Sequence, residues 1–438
     1  MIISTAEREE LKVALDQELG SIPSLTVKLA NNCAPISVSE RRRGRTTTAK
    51  NEGVTLSLLA DPNGVLLWED AFIRPRRGPG LRRGRPGEFL AGDPVAELVV
   101  PPLAPNQVAQ VLVKADKMLT PNQGLFEWKN GAMHPAPEIR NLKKGTKILL
   151  IVHGTFSESE AIFRQWTDPA NAEAIKFLAK AGEIYNYILA FNHPTVAVSP
   201  TLNALDLARL TVGSGADIDV IAHSRGGLVV RWWLEAFDRP VGKRRAVLVG
   251  SPLGGTSLAA PAEIKKILSW LSNVNRAISK AADAGATLVP WLRVVGVLAQ
   301  FTGMVTGVAA KTPLVDGGIA MIPGLAAQSR TTTNFEIDRL NGGPAVQPEY
   351  FVIRGKYKPN DPGWKFWEYF VDGPKERALF SIFPSDNDTV VDTVEMDRFA
   401  AKAKPSGLYE FSTGSVVHHT NYFLQRQTSE QIRGWLQI

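Results

Sequence analysis

The stretch DIDVIAHSRGGLVVRWWLEAF, residues 217–237, determines the predicted fold of this chain. Ile218, Val220 and Ile221 predict a short buried strand, and the apolar residues from position 228 to 237 predict a largely buried helix. Between them lies HSRGG. A strand that enters a helix through a turn with serine at its apex is typical of a nucleophile elbow, which holds the serine oxygen clear of the backbone. The stretch therefore predicts Ser224 as the nucleophile of a hydrolase.

Small residues around this serine favour the same turn. Gly226 stands two positions after Ser224, where a Cβ atom would collide if helix and strand pack closely. Ala222 stands two positions before it, where glycine is commoner. Because alanine is the next smallest residue, the turn is still expected to close.

Length, net charge and cysteine content limit the number of compact units, the kind of partner and the cellular compartment that fit this chain. A length of 438 residues predicts two or three compact units, and a formal net charge of +7 is mild for that length and does not indicate a nucleic-acid partner. Cys33 is the only cysteine, which excludes an intrachain disulfide and fits a reducing compartment.

The first residues, MIISTAEREELKVALDQEL, have acidic side chains where a signal peptide would have its apolar core. They predict an amphipathic helix over 1–20, capped by Ser4 with Glu7 three residues later. No stretch is long and apolar enough for a transmembrane helix. A cytoplasmic location is the expectation.

A β-rich, sandwich-like domain is predicted over 21–135. Turn residues separate β-like apolar runs at 25–29, 54–59, 65–72, 95–100 and 108–113. Two arginine clusters, at 41–45 and 74–87, lie in its loops. They fit either solvated loops, the simpler interpretation, or a site for phosphate groups that would allow peripheral contact with a lipid surface.

An α/β domain is predicted over 145–438. From Thr146 onward, apolar strands alternate with helices, which favours a mostly parallel sheet covered on both faces. In such a sheet the site lies at the carboxyl ends of the strands. The segments that fall there are His153-Gly154, Ser224 and 250–252.

The alternation stops between about 260 and 326. The residues at 264–278 have helical spacing, and those at 291–310 are apolar apart from Arg293, Gln300 and the glycines and threonines. Together they predict a helical cap inserted into the α/β domain. An apolar inner face would admit an acyl chain. Ordinary core burial is the alternative interpretation.

Catalysis by serine requires an imidazole base and a carboxylate that orients it. In hydrolases with the predicted elbow, these follow the serine in the order acid, then histidine. Asp388 is the predicted acid, in preference to Asp386 and Asp392. Only His418 and His419 lie beyond this loop among the six histidines.

The developing negative charge on the carbonyl oxygen requires two backbone N–H groups. The expected donors are Thr155 and Arg225, with Phe156 as the alternative to Thr155. His153, Gly154, Phe156 and His223 flank these positions and are predicted to border the substrate. His153 is expected to be a turn residue bonded to backbone rather than a catalytic one.

Six segments together resemble bacterial lipases and esterases of the α/β-hydrolase superfamily, including lipase-like domains related to the inositol deacylase of GPI-anchor processing: VIAHSRGGLVVR, IVHGTF, FNHPT, VGSPLGGTSLA, DNDTVVDT and HHTNYF. The resemblance covers roughly residue 146 to the C-terminus. It implies Ser224 as nucleophile, Asp388 before an apolar pair as acid, and His419 before Thr420 as base. The doubled histidine leaves His418 as an alternative, and the N-terminal β domain and arginine loops lie outside the shared pattern.

These observations predict a serine carboxylic-ester hydrolase (EC 3.1.1.-), an esterase or lipase working through an acyl-enzyme. No metal or organic cofactor is expected, and the expected partner is a small acyl ester or lipid rather than nucleic acid. The alternatives are an amidase, thioesterase or acyltransferase with the same triad, or an inactive hydrolase-like module that binds an anionic lipid or polymer.

Overall fold

The structure, a computed structural model, describes part of the chain: residues 5–19, 25–29, 54–61, 63–70, 93–100, 105–259, 264–281, 294–296, 299, 322–330, 334–343, 348–360, 364–370, 382–383, 385–400, 403–414 and 416–438. The chain divides into two compact units. The first unit comprises 1–110, 262–318 and 361–382, and the second comprises 111–261, 319–360 and 383–438.

The strands of the described residues, numbered along the chain, are β1 Thr26–Leu29, β2 Val54–Ala60, β3 Leu66–Asp70, β4 Asp93–Val100, β5 Gly124–Lys129, β6 Ala132–Pro135, β7 Lys147–Val152, β8 Tyr187–Asn192, β9 Asp217–His223, β10 Arg244–Val249, β11 Glu349–Arg354 and β12 Gly407–Glu410.

The α-helices of the described residues are α1 Thr5–Leu19, α2 Pro105–Leu119, α3 Glu160–Trp166, α4 Ala172–Ile184, α5 Pro200–Thr211, α6 Gly226–Trp232, α7 Ile264–Ala281, α8 Pro323–Ala326, α9 Phe335–Gly342, α10 Trp367–Phe370 and α11 Arg426–Leu436. A π-helical turn, Trp233–Phe237, continues α6.

The second unit is built on an eight-stranded sheet in the order β12-β11-β10-β9-β7-β8-β5-β6. Strands β7 to β12 pair in parallel, while β5 is antiparallel to both β8 and β6. The parallel strands β7 to β11 have nearly continuous buried runs, as strands covered on both faces require. This mixed, mostly parallel sheet flanked by helices is the α/β-hydrolase fold, which confirms the predicted fold class.

Two apolar clusters cover the faces of this sheet. Alternate residues of β7 belong to opposite clusters. Leu150 shares a cluster with Trp233 of the helical segment after the elbow, whereas Ile151 shares the other cluster with Phe177 of α4 and Ile432 of α11. The alternation follows from the two-residue period of a strand. Strand β9 is covered in the same way, with Val220 in one cluster and Ile221 in the other. Packing on both faces of β9 therefore fixes the start of the turn that follows this strand.

The first unit contains a four-stranded antiparallel sheet, β1-β4-β2-β3. Helix α1 contacts β1 and β4, and α7 packs along β3. The predicted run at 108–113 is helical instead, within α2. Among the described residues the unit has one sheet with helices against it, so the second sheet of a sandwich is not part of the described structure.

The division of the chain also differs from the predicted domains. Strands β5 and β6, assigned by sequence to the β-rich domain over 21–135, complete the eight-stranded sheet. Residues 262–318, expected as a cap insertion in the domain over 145–438, group with the first unit. A role of 260–326 as a cap over the site stays a prediction.

Several predictions concern residues outside the described ranges. These are the Ser4 cap, Cys33, both arginine clusters and most of the apolar stretch at 291–310. Among the described residues, no helix has the length and apolarity needed to cross a bilayer.

Candidate active site

The turn at Ser224 has the geometry of a nucleophile elbow. Strand β9 ends at His223, α6 begins at Gly226, and Ser224 between them has a left-handed φ of 54°. Its N–H donates to the carbonyl oxygen of Val249, which ties the turn to β10. A Cβ on Gly226 would lie 2.5 Å from the carbonyl oxygen of Val152, so the helix can approach β7 only with glycine there.

Three distant side chains meet at this turn. Nε2 of His419 lies 2.8 Å from Oγ of Ser224, and Nδ1 of His419 lies 2.7 Å from Oδ2 of Asp388. The exposed fraction is 5% for Ser224, 5% for His419 and 0% for Asp388. In this arrangement Nε2 can accept the serine proton while the carboxylate holds the protonated Nδ1, as a general base in a serine triad must be held.

Of the three aspartates considered as the acid, Asp388 is the one that contacts His419. Its Oδ1 accepts from the N–H groups of Val390 (3.0 Å) and Val391 (2.9 Å), and its Oδ2 also accepts from Tyr422 (2.8 Å). Burial raises the pKa of Asp388, but the charge and hydrogen bond of His419 and these donors outweigh it and leave the pKa below its usual value. The carboxylate is therefore charged near neutral pH.

The two rejected aspartates lie elsewhere. Asp386 is exposed and lies 4.0 Å from the ammonium group of Lys356. Asp392 is fully buried and accepts from Ser257 (2.9 Å) and Arg330 (3.2 Å). Within the described part of the chain, neither aspartate contacts an imidazole.

The tandem histidines have separate surroundings. The His418 ring lies edge-on to the ring of Tyr357, with centroids 6.1 Å apart, and its Nδ1 lies 3.1 Å from Oγ1 of Thr420. His419 is the one whose ring contacts Ser224 and Asp388.

The N–H groups of Thr155 and Arg225 have no protein acceptor within the described part of the chain. The N–H of Phe156, the predicted alternative donor, is already directed to Oγ1 of Thr195 at 3.2 Å. Phe156 also has a left-handed φ of 56°. Thr155 is fixed through its side chain, which hydrogen-bonds the amide of buried Gln328. Among the described residues, the N–H groups of both predicted donors are thus uncommitted.

His153 does not border open space, which corrects its assignment to the substrate site. The side chain is completely buried, and its ring stacks on that of His193 with centroids 4.2 Å apart. Nε2 accepts from the N–H of His193 (3.0 Å), so Nδ1 carries the proton and donates to the carbonyl oxygen of Gly154 (2.8 Å). Burial lowers the pKa of His153 to about 3. Both ring nitrogens of His153 thus hydrogen-bond to backbone groups, as expected for a turn residue.

Gly154 and His223, the other two residues predicted to border the substrate, contact Ser224 and His419 respectively. Gly154 abuts the serine, because a Cβ on it would lie 2.6 Å from Cβ of Ser224. His223 is half-buried, and its Nε2–H donates to the backbone carbonyl oxygen of His419 at 2.8 Å. His223 therefore stabilises the loop that carries His419.

Sequence reasoning placed Gly250 at the site edge of the sheet without giving it a role, and it did not single out Tyr422. Tyr422 is fully buried and donates to Asp388 from 34 positions away. A Cβ on Gly250 would lie 2.7 Å from the Tyr422 ring and 3.1 Å from Oδ2 of Asp388. The position of Tyr422 within the HHTNYF segment was the available signal, but only the folded loop shows what its hydroxyl contacts.

Solved structures with similar chains include several lipases and esterases. Lipase BlEst2 of Bacillus licheniformis in its mature form has 15% identity and a TM-score of 0.33, over 72% of this chain and 98% of that one. Lipase 1 of Pelosinus fermentans has 12% identity and a TM-score of 0.39, over 66% and 99%. A thermophilic esterase of Thermogutta terrifontis has 14% identity and a TM-score of 0.31, over 68% and 91%. The strand order and the turn at Ser224 define the fold independently of these likenesses.

No curated protein matches the chain. A family model matches residues 118–437, which include the whole eight-stranded sheet from β5 onward and every residue of the candidate site. The chain belongs to the family described as Domain of unknown function (DUF7379).

Proposed function

We propose that this protein is a serine carboxylic-ester hydrolase, an esterase or lipase that works through an acyl-enzyme. The observation that carries the proposal is the hydrogen-bonded series from Ser224 through His419 to Asp388, with distances of 2.8 and 2.7 Å. A serine hydroxyl is a weak nucleophile near neutral pH, and a base at this distance can activate it.

In the first half of the proposed reaction, Oγ of Ser224 attacks the acyl carbon while Nε2 of His419 takes the hydroxyl proton. Asp388 stabilises the resulting imidazolium. The negative charge on the former carbonyl oxygen is stabilised by the N–H groups of Thr155 and Arg225. The tetrahedral adduct then collapses, and the leaving alcohol takes the proton from His419.

In the second half, water attacks the acyl-enzyme and His419 removes its proton. Collapse of the second adduct releases the carboxylic acid and returns the proton to Oγ of Ser224. Each half uses protein side chains and backbone alone. A reaction without metal or cofactor is part of the proposal.

An acyl chain of some length is the proposed substrate class, on the strength of the apolar sequence at 291–310. A series of 4-nitrophenyl esters from acetate to palmitate, with matched amide and thioester substrates, tests both the bond and the chain length. We expect ester turnover to exceed amide turnover and to rise beyond the shortest chains.

Ser224→Ala should lower this turnover at least about a thousandfold, as in other serine triads. The matched control is Ser412→Ala, because Ser412 is exposed. Turnover that is the same in Ser224→Ala as in the unaltered protein would reject the proposed function.

A further inference from the structure

Asp116, near the end of α2, is a buried carboxylate outside the three-residue series at Ser224. It is 2% exposed, and it accepts three consecutive backbone N–H groups: Oδ1 those of Thr195 (2.7 Å) and Val196 (2.8 Å), and Oδ2 that of Ala197 (2.6 Å). Burial raises the pKa of Asp116, and the three N–H bonds oppose that rise. The carboxylate thus fixes the backbone of the turn at 195–197.

This turn is connected to the first candidate oxyanion donor. Oγ1 of Thr195 accepts the N–H of Phe156, the residue that follows Thr155 and has a left-handed φ. The same end of α2 holds the other side of that loop, since Oγ1 of buried Thr120 donates to the carbonyl oxygen of Ser157 at 3.1 Å. The conformation of residues 155–157 therefore depends on contacts from α2.

The turn is connected to the second candidate donor as well. The guanidinium of Arg225 is completely buried and donates to the carbonyl oxygen of Val198. Nε and Nη1 of Arg225 have no hydrogen-bond acceptor among the described residues. Burial lowers the pKa of Arg225 to about 10, and the charge of Asp116 is the strongest influence that opposes this fall. Asp116 thus provides counter-charge to the residue whose N–H follows the nucleophile.

We propose that Asp116 and Thr195 are positioning residues that hold the N–H groups of Thr155 and Arg225 in the orientation that receives the oxyanion. The inference rests on the proposed function. Neither residue touches the substrate: Asp116 acts through the turn at 195–198, and Thr195 acts through the N–H of Phe156.

Thr195 offers a matched pair of variants. Thr195→Val keeps the size of the side chain and removes the oxygen that accepts from Phe156, whereas Thr195→Ser keeps the oxygen. Asp116→Asn tests the other end of the series, because an amide has only one acceptor oxygen and its NH2 group cannot accept the third N–H.

Loss of a whole oxyanion donor lowers kcat by about 10²–10³, so its displacement should lower kcat by roughly 10 to 100-fold. We expect that loss in Thr195→Val and Asp116→Asn, with KM within about threefold of the unaltered protein because the ground state uses these donors less. Thr195→Ser should stay within about threefold in kcat.

The readout that separates positioning from folding is the affinity for phenylboronic acid, which forms a tetrahedral adduct on serine and mimics the charged intermediate. We expect this affinity to fall with kcat in Thr195→Val and Asp116→Asn, at a temperature well below the Tm of each variant. Unchanged affinity in a folded Thr195→Val, or an equal loss in Thr195→Ser, would overturn the inference. If Asp116→Asn does not fold, the Thr195 pair decides.

Ser224→Ala, measured in parallel, separates this inference from the proposed function. Ester turnover that survives Ser224→Ala would contradict both the proposed function and the positioning role. Turnover that needs Ser224 but is unchanged in folded Asp116→Asn and Thr195→Val would overturn the positioning role alone.

Discussion

The hydroxyl group of Tyr422 donates to Oδ2 of Asp388 across 2.8 Å, and the same oxygen accepts from Nδ1 of His419 at 2.7 Å. Tyr422 and Asp388 are both completely buried. A hydrogen bond to a buried charge is stronger than one between neutral groups, so Tyr422 helps to fix the carboxylate that contacts His419, the proposed base.

Tyr422→Phe removes this hydroxyl and leaves the ring in place. A hydrogen bond to a charged group contributes about 1.5–3 kcal/mol, and we expect loss of part of it to lower kcat roughly tenfold with little change in KM. Steady-state kinetics on an ester substrate measure the effect. Tyr409→Phe, on β12, is the control. An unaltered kcat in a folded Tyr422→Phe would show that the hydroxyl contributes only to packing.

His419→Ala and His418→Ala distinguish the tandem imidazoles. We expect a loss of at least about a thousandfold in kcat for His419→Ala, because the base is removed, and a far smaller loss for His418→Ala. Both variants should be compared by kcat and by circular dichroism. The reverse ranking would move the base to His418.

Stability should fall as the pH is lowered from neutral, because histidines that are neutral in the folded protein become charged when the chain unfolds. Burial lowers the pKa of His153 and of His223 to about 3, against an ordinary value near 6.5. Between these values the unfolded chain binds a proton that the folded chain does not. The free energy of unfolding should therefore fall with decreasing pH by up to roughly 1.4 kcal/mol per pH unit for each such histidine.

Urea unfolding of the unaltered protein and His153→Asn between about pH 4.5 and 6.5 measures this dependence. In the variant, the free energy of unfolding should change less steeply with pH, by the equivalent of about one bound proton. Carboxylates that titrate in the same range contribute equally in both proteins. Parallel curves would mean that His153 is not held neutral in the folded state.

Asn273 on α7 protects the edge of the four-stranded sheet in the first unit. Its Oδ1 accepts the N–H of Leu66 (2.9 Å), and its Nδ2 donates to the carbonyl oxygen of Leu66 (2.7 Å). Asn273→Ala leaves both buried groups unpaired, at a cost of roughly 2–4 kcal/mol. Hydrogen exchange at 66–68 should accelerate accordingly, whereas Val13→Ala, at an exposed position of the same unit, should leave it unchanged.

The predicted elbow and the predicted order of Ser224, Asp388 and His419 depend on local signals, and the structure brings these side chains together. A strand that runs into a glycine-rich turn and then a helix can be recognised within about twenty residues. The acid and the histidine follow later strands of the same sheet, whose carboxyl ends share one edge. Chain order was therefore enough to select two side chains that the structure brings into contact with each other and with Ser224.

Other features depend on contacts between distant segments. The apolar residues Val108, Val111 and Leu112 fit both a short strand and a helix, and the structure has the helix α2. Strand β5 has an ordinary strand pattern, but its pairing with β8 is set by tertiary structure. The roles of Tyr422 and Asp116 depend on partners 34 and 79 to 81 positions away, which no local pattern predicts.

The central claim is that Ser224 is a nucleophile activated by His419. Treatment with a fluorophosphonate probe, which bonds to an activated serine oxygen with loss of fluoride, followed by peptide mass mapping, tests it most directly. We predict one adduct, on Ser224, that is absent from Ser224→Ala and forms far more slowly in His419→Ala. An adduct at another residue in the unaltered protein, or labelling of Ser224 at the same rate without His419, would contradict the claim.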